Sequence, residues 1–468
     1  MKVKTLKRAA GSADRECSGD LRKEHRNLNP VHHPMQRARE YKRAVNAAKM
    51  ERMFAKPLVG NFGNGHMDAV LVSAMSRRSL LPMISGAADG NVQLWDLSTR
   101  TSVATINAHS RVVTGLVFSV TGEHFYSCSD DGMVHQWAIH ATNKQDDDGG
   151  VAAKVPFGAA NDEPFHGPLA TWRTPGSFKS IDHHWFDSQF ATASDEAVQI
   201  WSPERSMPLQ THNDLWGSQD SVTAVRYNPA ERSLLAHCSA DRGIGLHDTR
   251  TGTALKKTLL NMRCNDLQWN PMEPMNFVVA NEDYNAYTFD MRKMDEPTRI
   301  FKGHTSAVMS VAWAPSGREF CTGSYDRTIR IFPLNRGIAR DIYHTKRMQR
   351  VFTVNYTMDH KFIVSGSDDT NLRLWKSTAS EQLGQLTSRE ESAMQYRQAL
   401  VKKYQHLPEV KKISKSRKVP KVIKKQTAQA IIMKESADRK QANRVKYSKN
   451  GEHKFTSDRK KAVDKEVD

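Results

Sequence analysis

The sequence predicts an all-β fold, a seven-bladed β-propeller with a basic extension at each end. Three observations carry that expectation. Seven aspartates are each followed six residues later by a ring: Asp89/Trp95, Asp131/Trp137, Asp195/Trp201, Asp241/His247, Asp283/Phe289, Asp326/Phe332 and Asp369/Trp375. The aspartates lie 42, 64, 46, 42, 43 and 43 residues apart. An aromatic stands 13 or 14 residues ahead of five of them, at Phe118, Tyr227, Trp269, Trp313 and Tyr356. A repeat of about 40–45 residues corresponds to one four-stranded sheet, which cannot bury its faces alone and stacks on its neighbours around an axis.

The unit from Gly303 to Phe332 shows why each element forms. Ala307 to Trp313 alternates on two faces as a first strand. Ala314-Pro315-Ser316-Gly317 turns the chain, because proline presets φ and glycine accepts positive φ. Phe320 to Ser324 is a second strand, Tyr325-Asp326-Arg327 turns again, and Thr328 to Phe332 continues in β-branched alternation. His66, His109 and His304 lie 22 or 23 residues before Asp89, Asp131 and Asp326. This is the pattern of WD repeats, in which histidine, turn aspartate and terminal tryptophan brace one blade by hydrogen bonds. These histidines are therefore read as structural groups, not as metal ligands or bases. Blades three, four and five lack the histidine, so their bracing is expected to be less complete.

The propeller is expected over residues 56–376. Residues 1–30 are polar and charged and read as extended or partly disordered until a partner orders them. Pro34 opens a predicted helix from Met35 to Phe54, with Tyr41, Val45, Ala48 and Phe54 on its apolar stripe and Pro57 ending it. Lys56 to Phe62 is predicted as a strand that completes the blade ending at Trp375, removing an open edge. An insertion at about 140–168 contains Asp146-Asp147-Asp148-Gly149-Gly150. It reads as a flexible acidic loop, since a divalent cation needs carboxylates converging from a fixed turn. The adjacent pairs His32-His33 and His183-His184 diverge and are not read as metal sites.

Residues 377–468 read as a basic, mostly helical domain. Ser388 and Glu391 are expected to form a capping box. The helix should run to about His406, pack through Ala393, Tyr396, Leu400, Val401 and Tyr404, and stop at Pro408. Between Lys411 and Lys425 stand eight basic residues: Lys411, Lys412, Lys415, Arg417, Lys418, Lys421, Lys424 and Lys425. This stretch suits nuclear import, RNA binding or both. Pro420 opens a second predicted helix to about Tyr447, and the last residues read as polar. Tyr404 and Tyr447 are read as packing residues rather than base-stacking ones.

Charge is placed unevenly. Residues 1–57 carry 15 Lys/Arg against 6 Asp/Glu, residues 376–468 carry 24 against 11, and the part between carries 30 against 34. A near-neutral platform between extensions of net +9 and +13 is the layout of a polyanion binder. The five cysteines are scattered without a CxxC pair, which points to a reducing compartment. No apolar run reaches the roughly 20 residues of a membrane span, and the basic N-terminus has no apolar signal core. The phosphate-loop, HExxH and GxSxG motifs are missing, so no catalysis and no cofactor are expected.

Several segments resemble one family closely. They are MKVKTL at the start, Arg26–Pro30, Arg39–Pro57, Asn270–Arg292, Tyr343–Gln349, Leu383–Glu391 and Arg459–Val467. Together they resemble the Sof-type WD-repeat proteins over essentially the whole chain. The resemblance implies a nucleolar component of the small-subunit processome. Its partners would be pre-18S rRNA, the box C/D guide ribonucleoprotein and other processome proteins. Some relatives also resemble substrate receptors of cullin-four ubiquitin ligases, whose repeats end in Trp-Asp-x-Arg. Here His247-Asp248-Thr249-Arg250 and Phe289-Asp290-Met291-Arg292 keep the Asp and Arg and replace the Trp. Adaptor docking through Asp248, Arg250, Asp290 and Arg292 stands beside the plainer reading that both arginines decorate outer turns.

Overall fold

Seven antiparallel sheets follow one another along the chain of this computed structural model, which describes residues 27, 29–63, 65–139, 167–195, 197–212, 221–449, 452–453 and 456–467. The acidic insertion and nearly all of residues 1–30 lie outside the described residues. Blade one comprises Val70–Met75, Pro82–Ala87, Asn91–Asp96 and Thr101–Asn107, and the other six repeat this meander. Blade seven takes Val351–Tyr356, Phe362–Ser367 and Leu372–Lys376 from the end of the repeats. Its outermost strand, Leu58–Asn61, comes from the beginning. Leu58 pairs with Trp375, as the Lys56 to Phe62 reading expects, and this exchange closes the ring.

The separation of six has a packing cause. In four blades the ring at the end of the third strand stacks on a ring of the second strand. The pairs are Phe125–Trp137, Phe190–Trp201, Phe277–Phe289 and Phe320–Phe332, with centroids 5.6–6.3 Å apart and planes within 26°. Each pair lies in an apolar layer shared between or within blades, such as the cluster of Trp313, Phe320, Phe332 and Phe301. The second strands Pro82–Ala87 and Leu234–Ser239 are buried at every residue, whereas the outer strand Thr101–Asn107 is largely solvated.

The turn aspartates carry a second regularity. The residue after the aspartate has positive φ in six blades: Gly90, Gly132, Arg242, Tyr284, Arg327 and Thr370. Glycine meets that demand without strain, and the other four hold a left-handed conformation that costs them energy.

The chain divides into two compact units, Leu58–Ser377 with Val419–Asp468 and the described part of residues 1–57 with Thr378–Lys418. In the smaller unit, helix α1 (Gln36–Arg52) meets α2 (Ser388–Tyr404) and α3 (Pro408–Ser414). Ala44, Val45 and Ala48 pack with Leu400 and Val410, flanked by Tyr41, Val401, Tyr404 and Ile413. Glu40 accepts from Lys403 Nζ at 2.8 Å and Tyr404 Oη at 2.9 Å, and Tyr41 Oη donates to Glu409 at 2.7 Å.

Three readings are corrected here. Phe54 lies beyond the end of α1 and is exposed, and Tyr396 is exposed on α2. The capping box is shifted by one residue. Thr387 is the N-cap, its hydroxyl accepts from Glu390 N, and the Glu390 carboxylate accepts from Thr387 N. Pro408 both ends the run after α2 and starts α3 as its first residue.

The larger unit holds α4 (Lys421–Tyr447) and a last strand, Val463–Val467, where the sequence reads as merely polar. That strand pairs antiparallel with the outer strand of blade four, Thr253–Leu260, making it five-stranded. Ala462 and Val463 join the apolar cluster of blades four and five. The available signal was slight, since Val463 and Val467 stand four residues apart with three charged residues between them. Tyr447, read as a packing residue, is exposed, whereas Tyr404 packs as expected.

Candidate functional site

The repeat residues form the braces, in several chemical versions. In blade two, His109 Nδ1 lies 3.1 Å from Asp131 Oδ2 and Nε2 lies 2.8 Å from Ser127 Oγ, to which Trp137 Nε1 donates at 3.0 Å. Blade six repeats this with His304, Asp326 and Thr322 at 2.9 and 2.7 Å, and Phe332 replaces the tryptophan. In blade one His66 and Trp95 share Ser85 at 2.6 and 2.7 Å. Asp89 instead receives Asn91 N and Nδ2 at 3.0 and 2.7 Å, so the brace there lacks its expected carboxylate link.

Blades without the histidine meet the aspartate with other donors, which corrects the expectation of weaker bracing. Asp195 is bound by Ser177 and paired with Lys179, and Trp201 donates to Thr192 at 2.9 Å. Asp241 accepts from Lys257 Nζ at 2.5 Å, Asp283 from Tyr287 Oη, and Asp369 from Arg373. Trp375 donates to Ser365 at 2.8 Å. Burial holds the brace histidines neutral, pushing His66 down to about 4 and lowering His109 and His304. His183 bonds His184 O and His184 bonds Arg232 O, so both are structural. Among the described residues, no cluster of His, Cys, Asp or Glu could hold a metal ion.

The first strands of all seven blades line a central channel of about 380 Å³. Its polar side chains stitch blades together: Thr114 to Phe178 O at 2.7 Å, Thr223 to Cys264 O at 3.0 Å, Asn265 to Val308 O at 2.9 Å and Asn355 to Ser73 O at 2.7 Å. Where the inner strands end, Arg77 of blade one binds Asp182 and His183 O of blade three, each at 3.0 Å. Its guanidinium lies 4.0 Å from the Trp185 ring centre, and Asp182 also accepts Tyr227 N of blade four. No repeat spacing marks this latch, which is why sequence reasoning missed it.

The two Asp-x-Arg candidates sit at equivalent turns of blades four and five. Arg292 folds back on Asp290 through Nε at 3.1 Å and Nη2 at 2.9 Å, and this ion pair lowers the Asp290 pKa. At Asp248 the carboxylate accepts Arg250 N at 2.9 Å while the Arg250 side chain is exposed. The basic candidates divide between the units. Lys411 and Lys412 end α3, Lys415 is its C-cap, and Lys418 follows, all four exposed. Arg417 donates to Ser414 O at 3.0 Å and Ser416 O at 2.9 Å, so its guanidinium ties off the α3 terminus. Lys421, Lys424 and Lys425 are exposed on the first turns of α4.

Comparison with known proteins fits this layout. A family profile described as Sof1-like domain matches residues 377–463, and one for the WD domain, G-beta repeat, matches 100–138, 295–332 and 342–376. A Xenopus laevis protein called DDB1- and CUL4-associated factor 13 is 42% identical over 463 residues, covering 99% of both chains. The Homo sapiens protein of that name is 43% identical with the same coverage. Protein SOF1 of Saccharomyces cerevisiae is 42% identical over 480 residues, covering 99% of this chain and 94% of its own. The solved WD40 beta propeller domain of Doa1 superposes with a TM-score of 0.54 over 68% of this chain and 96% of its own, at 19% identity, a likeness of fold alone.

Proposed function

The chain belongs to the Sof1-type WD-repeat family, and on that premise we propose that it is a non-catalytic ribosome-biogenesis factor of the nucleolus. In this reading it is a component of the small-subunit processome needed for pre-18S rRNA processing and 40S assembly. The propeller scaffolds other processome proteins, and the basic extensions contact pre-rRNA or the box C/D guide ribonucleoprotein. The observation that carries the reading is the charge layout, net −4 on the ring between extensions of +9 and +13, with Lys411, Lys412, Lys415, Lys418, Lys421, Lys424 and Lys425 exposed. Exposed lysines supply phosphate contacts, which give affinity and position but little sequence discrimination. Affinity then falls by roughly 0.7–0.9 log units per contact for each tenfold rise in salt.

The test is sedimentation of a tagged full-length chain from cell extract, with sequencing of the co-purifying RNA. Recovery of pre-18S rRNA in a particle much larger than the free chain supports the proposal. Recovery without RNA, in a smaller complex, overturns it.

A second reading is a cullin-four substrate receptor. It is favoured by the name that several relatives carry and by the exposed Arg250 beside Asp248. It predicts that changing Arg250 and Arg292 together to Ala abolishes adaptor binding while leaving particle incorporation intact. Retained adaptor binding in that double variant would count against it.

A further inference from the structure

Helix α4 is 27 residues long, yet Ile423 is its one buried residue. One side is held to the C-terminal segment. Lys434 Nζ donates to Asp458 Oδ2 at 2.9 Å, Lys461 Nζ donates to Gln441 Oε1 at 2.6 Å, and Asp458 also pairs with Lys302 at 2.7 Å. Lys434 and Gln441 are seven residues apart, a spacing that returns to nearly the same side of a helix. The far side is reached by Lys425, Ile432, Arg439 and Lys446, again at steps of seven.

At the centre of the helix, Ile431, Ile432 and Met433 are 52%, 65% and 73% exposed. Three consecutive large apolar residues in water are unfavourable unless something covers them. The remainder of α4 carries eight Lys/Arg against Glu435 and Asp438, with cations on both sides of the apolar turn. We propose that this exposed face of α4 docks into a groove of a folded protein, with an apolar floor for Ile432 and Met433 and an acidic rim for Lys425, Arg439 and Lys440.

The shape of the patch selects that occupant. RNA phosphates need the cations but give the aliphatic side chains no burial. A lipid surface needs an unbroken apolar stripe along the helix, whereas here Lys425, Arg439 and Lys446 share the side of Ile432 and separate it from the exposed Val422 and Tyr447. An apolar turn in a helix whose charge is predominantly positive, eight Lys/Arg against two carboxylates, matches a concave, acid-rimmed protein surface. The inference stands apart from the RNA reading, because it rests on the apolar turn.

The experiment places a photo-crosslinking benzoylphenylalanine at position 432 of the full-length chain, expressed in its source cells in place of the natural copy. Adducts are expected on one protein segment, in an apolar groove bordered by Asp and Glu. With that partner purified, Ile432→Asp in the full chain is expected to weaken binding at least tenfold while its thermal unfolding midpoint stays unchanged, since residue 432 is exposed. Arg439→Glu with Lys440→Glu is expected to weaken binding strongly at low salt and less at high salt. Adducts on RNA, lipid or a second copy of this chain would overturn the proposal. So would adducts on a basic surface, no adduct at all, or unchanged affinity of the Ile432→Asp chain.

Discussion

Replacing Trp375 tests how the ring is closed. The residue is fully buried, stacks on Tyr343 at 5.6 Å with planes 14° apart, and donates its indole N–H to Ser365 at 2.8 Å. It also faces Leu58 of the closing strand across the sheet. Burying an indole removes about 200 Å² from water, which at about 25 cal/mol per Å² is near 5 kcal/mol. An alanine keeps a little of that and leaves a void, so Trp375→Ala is expected to cost about 3–5 kcal/mol. Trp375→Phe keeps an aromatic stack and loses one hydrogen bond, for a cost of about 1–2 kcal/mol. Blade six already accepts Phe332 at the equivalent position, where His304 satisfies Thr322. The assay is urea unfolding of the full chain together with amide exchange. Protection should fall first in Leu58–Asn61 and blade seven. A loss below about 1 kcal/mol for alanine, or equal losses for alanine and phenylalanine, would refute the reasoning.

Other outcomes can be read in the same assays. Deleting Val463–Asp468 should leave the ring folded but uncover the outer strand Thr253–Leu260, raising its amide exchange and causing concentration-dependent association; a monomer with unchanged exchange would contradict the pairing. Thr370 is β-branched and held at φ 67°, so Thr370→Gly should raise stability by about 0.5–1 kcal/mol, read as a higher urea midpoint. Burial depresses His66, His135 and His247 to about 4 and His237 to about 3. Below the ordinary histidine value near 6.5 the unfolded chain takes up protons that the folded chain refuses. Stability is therefore fully present above that pH and is lost as pH falls toward 4. Each such group contributes a slope of at most about 1.4 kcal/mol per pH unit, and a flat profile of unfolding midpoints between pH 6.5 and 4.5 would refute it.

The sequence by itself determined the architecture, because a repeat forces the same local solution seven times. Asp and ring keep their separation of six since the ring must stack on the strand before it, and no distant contact is needed to place them. The closing strand was legible for the same reason, as an open ring would leave a bare edge. The extensions were legible as charge and as helices, since capping residues and prolines act locally. The true cap, Thr387 with Glu390, is equally local, a second Thr-x-x-Glu pattern one residue before the Ser388 pattern.

What only the tertiary structure decided depends on residues far apart in the chain. Val463–Val467 becomes a strand because Thr253–Leu260, about two hundred residues earlier, offers it an edge. Arg77 becomes a latch because blade three brings Asp182 within 3.0 Å. Lys257 replaces a missing histidine because the outer strand of blade four carries it back to Asp241, whereas Tyr287 and Arg373 reach turn aspartates only four residues before them. Arg417 is a local exception, taken up by the Ser414 and Ser416 carbonyls just before it, while the neighbouring lysines are exposed. Local chemistry repeats and can be counted along a chain, but pairing across the fold is set by which surfaces the closed ring leaves open.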